Sequence, residues 1–258
     1  MVVKIIMQLV GGLGLFLFGM QLMASGMQKA AGDRMRRILE LLTNKPIIAV
    51  FTGIIATVLV QSSSTVTVMV VGFVNAGLMS LYQAAGIIYG ANIGTTITGQ
   101  MIAFDINALI YPAIGLGAIL NFFGQRRTYK YIGQAALGIG VIFLGMNTMS
   151  DAMRPARELP FFLNMIATFG TKPLLGVLIG AGFTGLIQAS GATLALVIAM
   201  TTQGIITLPA AIAVLIGSNI GTCVTAMIAS IGTSVPARRT AVAHLLFNVT
   251  GALLVLIC

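Results

Sequence analysis

The stretch Gln61-Ser62-Ser63-Ser64-Thr65 decides how this chain is read. Five small or amidic polar residues stand together inside an apolar segment covering residues 46–74. In hydrocarbon such residues are costly unless each meets a partner, a cavity or a ligand. A related run, Gln188-Ala189-Ser190-Gly191-Ala192-Thr193, sits in a similar apolar setting between Pro173 and Met200. Together they predict two copies of one unit, each placing a polar turn near the middle of a membrane.

Composition agrees with that setting. Of 258 residues, 58% are hydrophobic and 7% charged, where a soluble domain carries roughly 25% charged residues. Mean hydropathy is +1.04. So few charges cannot cover a water-facing surface, and the chain reads as a polytopic helical membrane protein. A closed barrel is excluded because sustained period-2 alternation is missing and the apolar runs are too long. The net charge of +9 does not point to nucleic acid. The basic residues form short clusters between apolar segments, where juxtamembrane charge explains them. Residues 2–28 read as a first spanning helix and not a cleaved signal, since no small-x-small cleavage site follows. Cys223 and Cys258 make neither a disulfide framework nor a metal site.

The internal repeat is ordered and gap-free at one offset of 127 residues. Lys45-Pro46 matches Lys172-Pro173, Gly53 matches Gly180, Thr57 matches Thr184, and Gln61 matches Gln188. Ser63 matches Ser190, Gly77 matches Gly204, Asn121 matches Asn248, and Gly124 matches Gly251. The pattern Gly90-x-Asn92-Ile93-Gly94-Thr95 returns as Gly217-x-Asn219-Ile220-Gly221-Thr222. Composition alone gives scattered glycine matches, not such a series. The repeats are placed at 1–128 and 129–258, with hairpins at about 46–76 and 173–203.

Each unit then holds a full span, a re-entrant hairpin, a broken span and a full span. The spans expected are 2–28, 82–104, 108–123, 131–149, 208–231 and 240–258. A short interfacial helix is expected over 29–45 and a charged connector over 150–172. The breaks are expected at Gly90–Thr96 and Gly217–Cys223, where glycines, asparagine and β-branched threonines weaken a helix midway. Glycine-rich stretches such as Gly11-Gly12-x-Gly14 and 133–145 are read as close helix packing. Three crossings per unit invert the second unit relative to the first. With the N-terminus outside, Lys29, Arg34, Arg36, Arg37, Lys45, Arg126, Arg127, Lys130, Arg238 and Arg239 fall inside, against Lys4, Arg154, Arg157 and Lys172 outside. That bias is the positive-inside pattern. The fold class is therefore all-α: a polytopic membrane protein with two inverted-topology repeats, each with a re-entrant helical hairpin and a broken transmembrane helix. Inverted repeats with midplane sites mark secondary transporters.

The chemistry at such a centre is uncharged. No catalytic constellation is present, so the chain is not read as an enzyme. His244, the single histidine, is read as a hydrogen-bonded residue near the start of the last helix. Helix starts at Ser63–Thr65 and at Ser190–Thr193 can attract an oxyanion through free N–H groups. A divalent anion in a neutral, low-dielectric pocket still needs compensation. Cations held by carbonyl and hydroxyl oxygens at Asn92–Thr95 and Asn219–Thr222 would supply it. The lack of any central carboxylate or histidine argues against protons as the coupling ion.

The run Gln61-Ser62-Ser63-Ser64-Thr65, followed by Gly90-Ala91-Asn92-Ile93-Gly94-Thr95-Thr96, resembles the type II sodium-dependent phosphate cotransporter family over essentially the whole chain. That resemblance implies sodium-coupled transport of inorganic phosphate across the plasma (inner) membrane by alternating access. It implies a substrate site of Gln61, Ser62, Ser63, Ser64, Thr65, Gln188, Ser190, Gly191 and Thr193. Ser64, Asn92, Thr95, Thr96, Ser190, Asn219 and Thr222 are the candidates for sodium, the only cofactor-like partner expected. The second run departs from the pattern, with Ala189 and Gly191 where the first has serines. Membrane lipid and a homodimer partner are expected, as is a C-terminal regulatory domain beyond Cys258 of the kind bacterial relatives carry. The competing readings are an exporter of phosphate or another small oxyanion, and a phosphate-responsive membrane scaffold that does not transport.

Overall fold

A computed structural model describes residues 2–31, 46–103, 107–155 and 172–257. Among these residues the chain forms ten helices: α1 (Val2–Ala31), α2 (Pro46–Val60), α3 (Ser63–Asn75), α4 (Leu81–Ala103), α5 (Asn107–Phe123), α6 (Arg127–Met153), α7 (Pro173–Ile187), α8 (Ser190–Thr202), α9 (Leu208–Ala229) and α10 (Val235–Ile257). The expected interfacial helix and most of the charged connector lie outside the described residues. The described residues fall into two compact units: one drawn from Met1–Gly32, Met101–Lys172 and Leu194–Ala211, the other from Asp33–Gln100, Pro173–Thr193 and Ile212–Cys258.

In the first unit α6 is shared between two partners, α1 and α5. Its glycines explain how. A side chain at Gly138 would strike the backbone of Met23 and Gly19, and one at Gly145 the backbone of Phe16 and Gly12. On α1, Gly12, Gly19 and Gly26 answer with the same seven-residue spacing, each against the backbone of α6. A seven-residue repeat keeps one seam facing its partner. A second pair, Gly133 and Gly140, lies against α5 at Gly117, Asn121 and Ile114. Close backbone approach is the expected use of small residues between membrane helices. Gly11 and Gly14, by contrast, face open space and take no part.

In the second unit α2 and α3 form a hairpin whose turn is Gln61-Ser62. Pro46 opens α2, where its missing N–H costs nothing. α2 lies against α4 with backbone touching backbone. A side chain at Gly53 would collide with the carbonyl of Ile87, one at Gly90 with the carbonyl of Val50, and one at Gly94 with Ile54 and Thr57. The same contact recurs between α7 and α9. Gly180 meets the carbonyl of Val214, Gly217 that of Val177, and Gly221 meets Ala181 and Thr184. Every partner is displaced by the one offset that relates the two sequence repeats. The hairpin ends repeat too. Gly77 and Gly204 are both left-handed, at φ 71° and 64°. Around them Leu78 N donates to Phe73 O at 2.9 Å and Ile205 N to Met200 O at 2.8 Å, the Schellman closure of a helix end.

Three expectations change. α4 and α9 run unbroken through Gly90–Thr96 and Gly217–Cys223, so neither helix is broken. Those glycines are there for the close approach of α2 and α7, and the neighbouring hydroxyls are absorbed by the helix itself. Thr95 Oγ1 donates to Ala91 O at 3.1 Å, Thr96 Oγ1 to Ile93 O at 2.6 Å, and Thr222 Oγ1 to Ser218 O at 3.0 Å. Second, four of the six expected spans meet the length and hydropathy of a membrane crossing: Val3–Ala30, Arg127–Met153, Leu208–Ala229 and Val235–Ile257. α4 is long enough, but Gln83, Asn92, Thr95, Thr96, Thr98 and Gln100 make it more polar; α5 has 17 residues. Third, α10 begins at Val235, so Arg238 and Arg239 lie within its first turns rather than ahead of it.

Candidate functional site

The two polar turns adopt one backbone conformation. Gln61 has φ 57° and Gln188 φ 58°, the left-handed region that a residue with a Cβ rarely occupies. Gln61 N donates to Thr57 O at 2.7 Å and Gln188 N to Thr184 O at 2.6 Å. Each glutamine therefore ends one helix and reverses the chain, and the next helix begins two residues later, at Ser63 and at Ser190.

The side chain of Gln61 explains why glutamine can stand where glycine is easier. Its amide nitrogen donates to Val58 O at 2.5 Å, and its oxygen accepts from Thr98 Oγ1 at 3.0 Å. Both amide ends are used, and the residue is 8% exposed. Ser62 caps α3. Its Oγ accepts from Thr65 N at 3.2 Å and from Thr65 Oγ1 at 2.9 Å, while its carbonyl accepts from Val66 N at 3.2 Å. The first amides of α3, those of Ser63 and Ser64, have no acceptor within their own helix. They are the donors this tip can turn to a ligand. Ser63 is buried, Ser64 half-buried and Thr65 exposed. Replacing Ser62 with alanine is expected to cost about 1 kcal/mol. Thermal unfolding in detergent should show the loss, and Ser62→Thr should restore most of it.

The second tip is built differently. Ala189, at the place of Ser62, has no side-chain oxygen with which to cap α8, and its carbonyl alone accepts there, from Ala192 N at 3.1 Å. Thr193 instead shares a hydrogen bond with Thr184, Oγ1 to Oγ1, at 2.6 Å. The counterpart of Thr184 is Thr57, and the counterpart of Thr193 is Val66, so the first hairpin cannot make this pair. Among the described residues Thr57 Oγ1 is buried there without a partner. Gln188 is exposed, Ser190 and Gly191 are half-buried, and Thr193 is buried. Among the described residues no side-chain hydrogen bond joins the two tips.

The expected cation ligands divide in the same way. Asn92 is half-buried and its Nδ2 donates to Asn248 Oδ1 at 3.4 Å. Thr95 is half-buried, Thr96 and Asn219 are exposed, and Thr222 is buried. Because α4 and α9 are continuous, their main-chain carbonyls at these positions are not released by unwinding. What remains there is side-chain oxygen.

Sequence reasoning missed the residues that answer these groups from other helices. Thr98 holds Gln61. Asn248 on α10 accepts from Asn92 and donates to Cys223 Sγ at 3.2 Å and to His244 O at 3.0 Å. Cys223 is a buried free thiol. His244 is 1% exposed, 9 residues into α10, and among the described residues neither ring nitrogen has a hydrogen-bond partner. The expected hydrogen-bonded histidine is corrected accordingly. An asparagine and a histidine one turn apart in an apolar helix were the available signal.

Four helices long and apolar enough to cross a bilayer make this a helical membrane protein. The sequence model of the Na+/Pi-cotransporter family matches residues 15–151 and 160–257, and the chain belongs to that family. It is 34% identical over 241 residues to the uncharacterized protein YqeW of Bacillus subtilis, covering 93% of this chain and 78% of that one. It is 31% identical over 252 residues to an Escherichia coli protein provisionally named inorganic phosphate export protein YjbB, covering 97% of this chain and 46% of that one. The chain thus spans about half the length of that relative. Sodium-dependent phosphate transport protein 2A of Rattus norvegicus is 37% identical over 97 residues, covering 37% of this chain and 15% of the rat protein. No solved structure matches the chain.

Proposed function

We propose that the chain carries inorganic phosphate across the plasma (inner) membrane, driven by sodium and by alternating access between two inverted repeats. Gln61, Ser62, Ser63, Ser64 and Thr65 form one half of the substrate site; Gln188, Ser190, Gly191 and Thr193 form the other. Sodium is held by the side chains of Ser64, Asn92, Thr95, Thr96, Ser190, Asn219 and Thr222. The observation that carries this reading is the pair of left-handed glutamine turns, each delivering a fresh helix start within an apolar surrounding. Such starts present N–H donors and the positive end of a helix dipole. Among the described residues of the second unit no side chain carries a carboxylate. An anion there is not repelled, and its charge is left for a co-bound cation to offset.

The family is named for sodium and phosphate, and the E. coli relative is named for phosphate export. Net direction in a carrier follows the gradients imposed on it, so export stands as the second reading. Purified protein in proteoliposomes should take up radiolabelled phosphate when an inward sodium gradient is imposed. At fixed pH and potential, replacing sodium by choline should lower the initial rate at least tenfold. Equal rates in the two salts would refute sodium coupling. Counterflow without any sodium effect would leave an uncoupled phosphate carrier, and no flux at all would favour a scaffold.

A further inference from the structure

The role argued for His244 rests on the phosphate reading of the chain. α3 and α10 pack together, and their valines and alanines share one buried cluster: Val66, Val70, Val71 and Val74 with Ala237 and Ala241. Their order is fixed where the end of α3 meets the start of α10, Ser234 N donating to Asn75 Oδ1 at 2.8 Å. Two helices of equal rise, counted back residue for residue from that contact, bring His244 to the level of Thr65, in the first turn of α3. His244 lies in the buried stripe of α10 that contains Ala237, Thr240, Ala241, Asn248 and Ala252, and of this stripe Ala237 and Ala241 share the cluster with α3. On α3, the Thr67 hydroxyl is likewise buried without a partner among the described residues.

The chemistry of the unpaired groups matters. Asn248 is fully engaged, both donating and accepting. Imidazole in its neutral form offers one N–H and one bare nitrogen that can only accept. The anion-binding groups at the tip are donors: the first amides of α3 and the serine hydroxyls. An oxyanion without hydrogen, such as sulfate, brings acceptors alone and leaves the bare nitrogen unsatisfied. Hydrogen phosphate brings acceptors for the tip and one O–H for the imidazole. We propose that His244 is the specificity residue of this site, accepting the hydrogen of a protonated oxyanion and so excluding sulfate. Sites that hydrogen-bond a substrate hydroxyl reject analogues lacking it much more strongly than apolar pockets discriminate by size.

The test is competition in phosphate-loaded proteoliposomes at pH 7.5, with sodium present. In the unmodified protein arsenate, which keeps its hydrogen, should compete with radiolabelled phosphate, and sulfate should not at a hundredfold excess. His244→Ala should narrow the preference for phosphate over sulfate by roughly tenfold or more. His244→Gln, whose amide also donates and accepts, should retain most of it. Should the alanine variant lose its monodisperse elution, His244→Leu tests the same loss with volume kept. An unchanged preference in the alanine or leucine variant, or equal competition by sulfate and arsenate in the unmodified protein, overturns the assignment while phosphate transport stands. Absence of phosphate counterflow in the unmodified protein sinks the transport reading and this one with it.

Discussion

Gln61→Ala should abolish sodium-dependent phosphate uptake and lower the stability of the purified protein by about 2–4 kcal/mol. The stability loss comes from two broken hydrogen bonds. Thr98 Oγ1 and Val58 O each lose a partner in a buried place, and a stranded buried polar group costs about 1–3 kcal/mol. Alanine must also hold the left-handed conformation at φ 57°, as glutamine does now. Gln61→Gly separates these effects. Glycine removes the backbone penalty of roughly 1–2 kcal/mol, so this variant should unfold at a higher temperature than Gln61→Ala. It should transport no better, because Thr98 is still left without the amide that fixes the tip. Restored uptake in Gln61→Gly would show that the turn alone matters and that the side chain is dispensable. Thermal unfolding and flux, measured on the same preparations with Ser25→Ala as a control in α1, give the comparison.

The second large effect concerns helices rather than the tip. Gly90→Ala and Gly217→Ala should both prevent recovery of monodisperse protein. At each position the added methyl would overlap a backbone carbonyl, that of Val50 or that of Val177. A carbonyl in a helix cannot rotate away, so α2 must leave α4, or α7 must leave α9. Overpacking of this kind usually costs about 1–3 kcal/mol, and here the obstacle is main chain on both sides. Gly72→Ala is the matched control, since Gly72 has open space beside it and also sits inside a helix. Recovery of Gly90→Ala at the level of Gly72→Ala would contradict the contact. Because the two contacts repeat, loss at one position and tolerance at the other would show that the helix pairs carry unequal loads.

Much of this was legible in the residues. The polar runs announced the turns, since a glutamine followed by small hydroxyl residues cannot remain inside an apolar helix without a reason. Pro46 marked the start of α2, and Ser63 and Ser190 the starts of the helices that come after the turns. The repeat was legible because its matches keep one order and one offset. The continuity of α4 and α9 was not. Gly-x-Asn-Ile-Gly-Thr weakens an isolated helix by propensity, and only the neighbouring helix reveals that its glycines make room for backbone. The partnership of Asn92, Asn248 and Cys223 was hidden for a related reason. It joins three helices whose order around one another no local pattern encodes. Thr98 escaped notice because its hydroxyl looks like any other in a membrane helix, where most bond to their own preceding turn.

The threonine pair at the second tip has a consequence for how the duplication is used. Thr184 and Thr193 close on each other, whereas Val66, at the place of Thr193, offers Thr57 no oxygen, and among the described residues the Thr57 hydroxyl is buried without a partner. A gene copied and joined to itself begins with two interchangeable ends. In this chain the two ends are no longer interchangeable: one is closed by a threonine pair, and the other buries a threonine hydroxyl that its own hairpin does not answer.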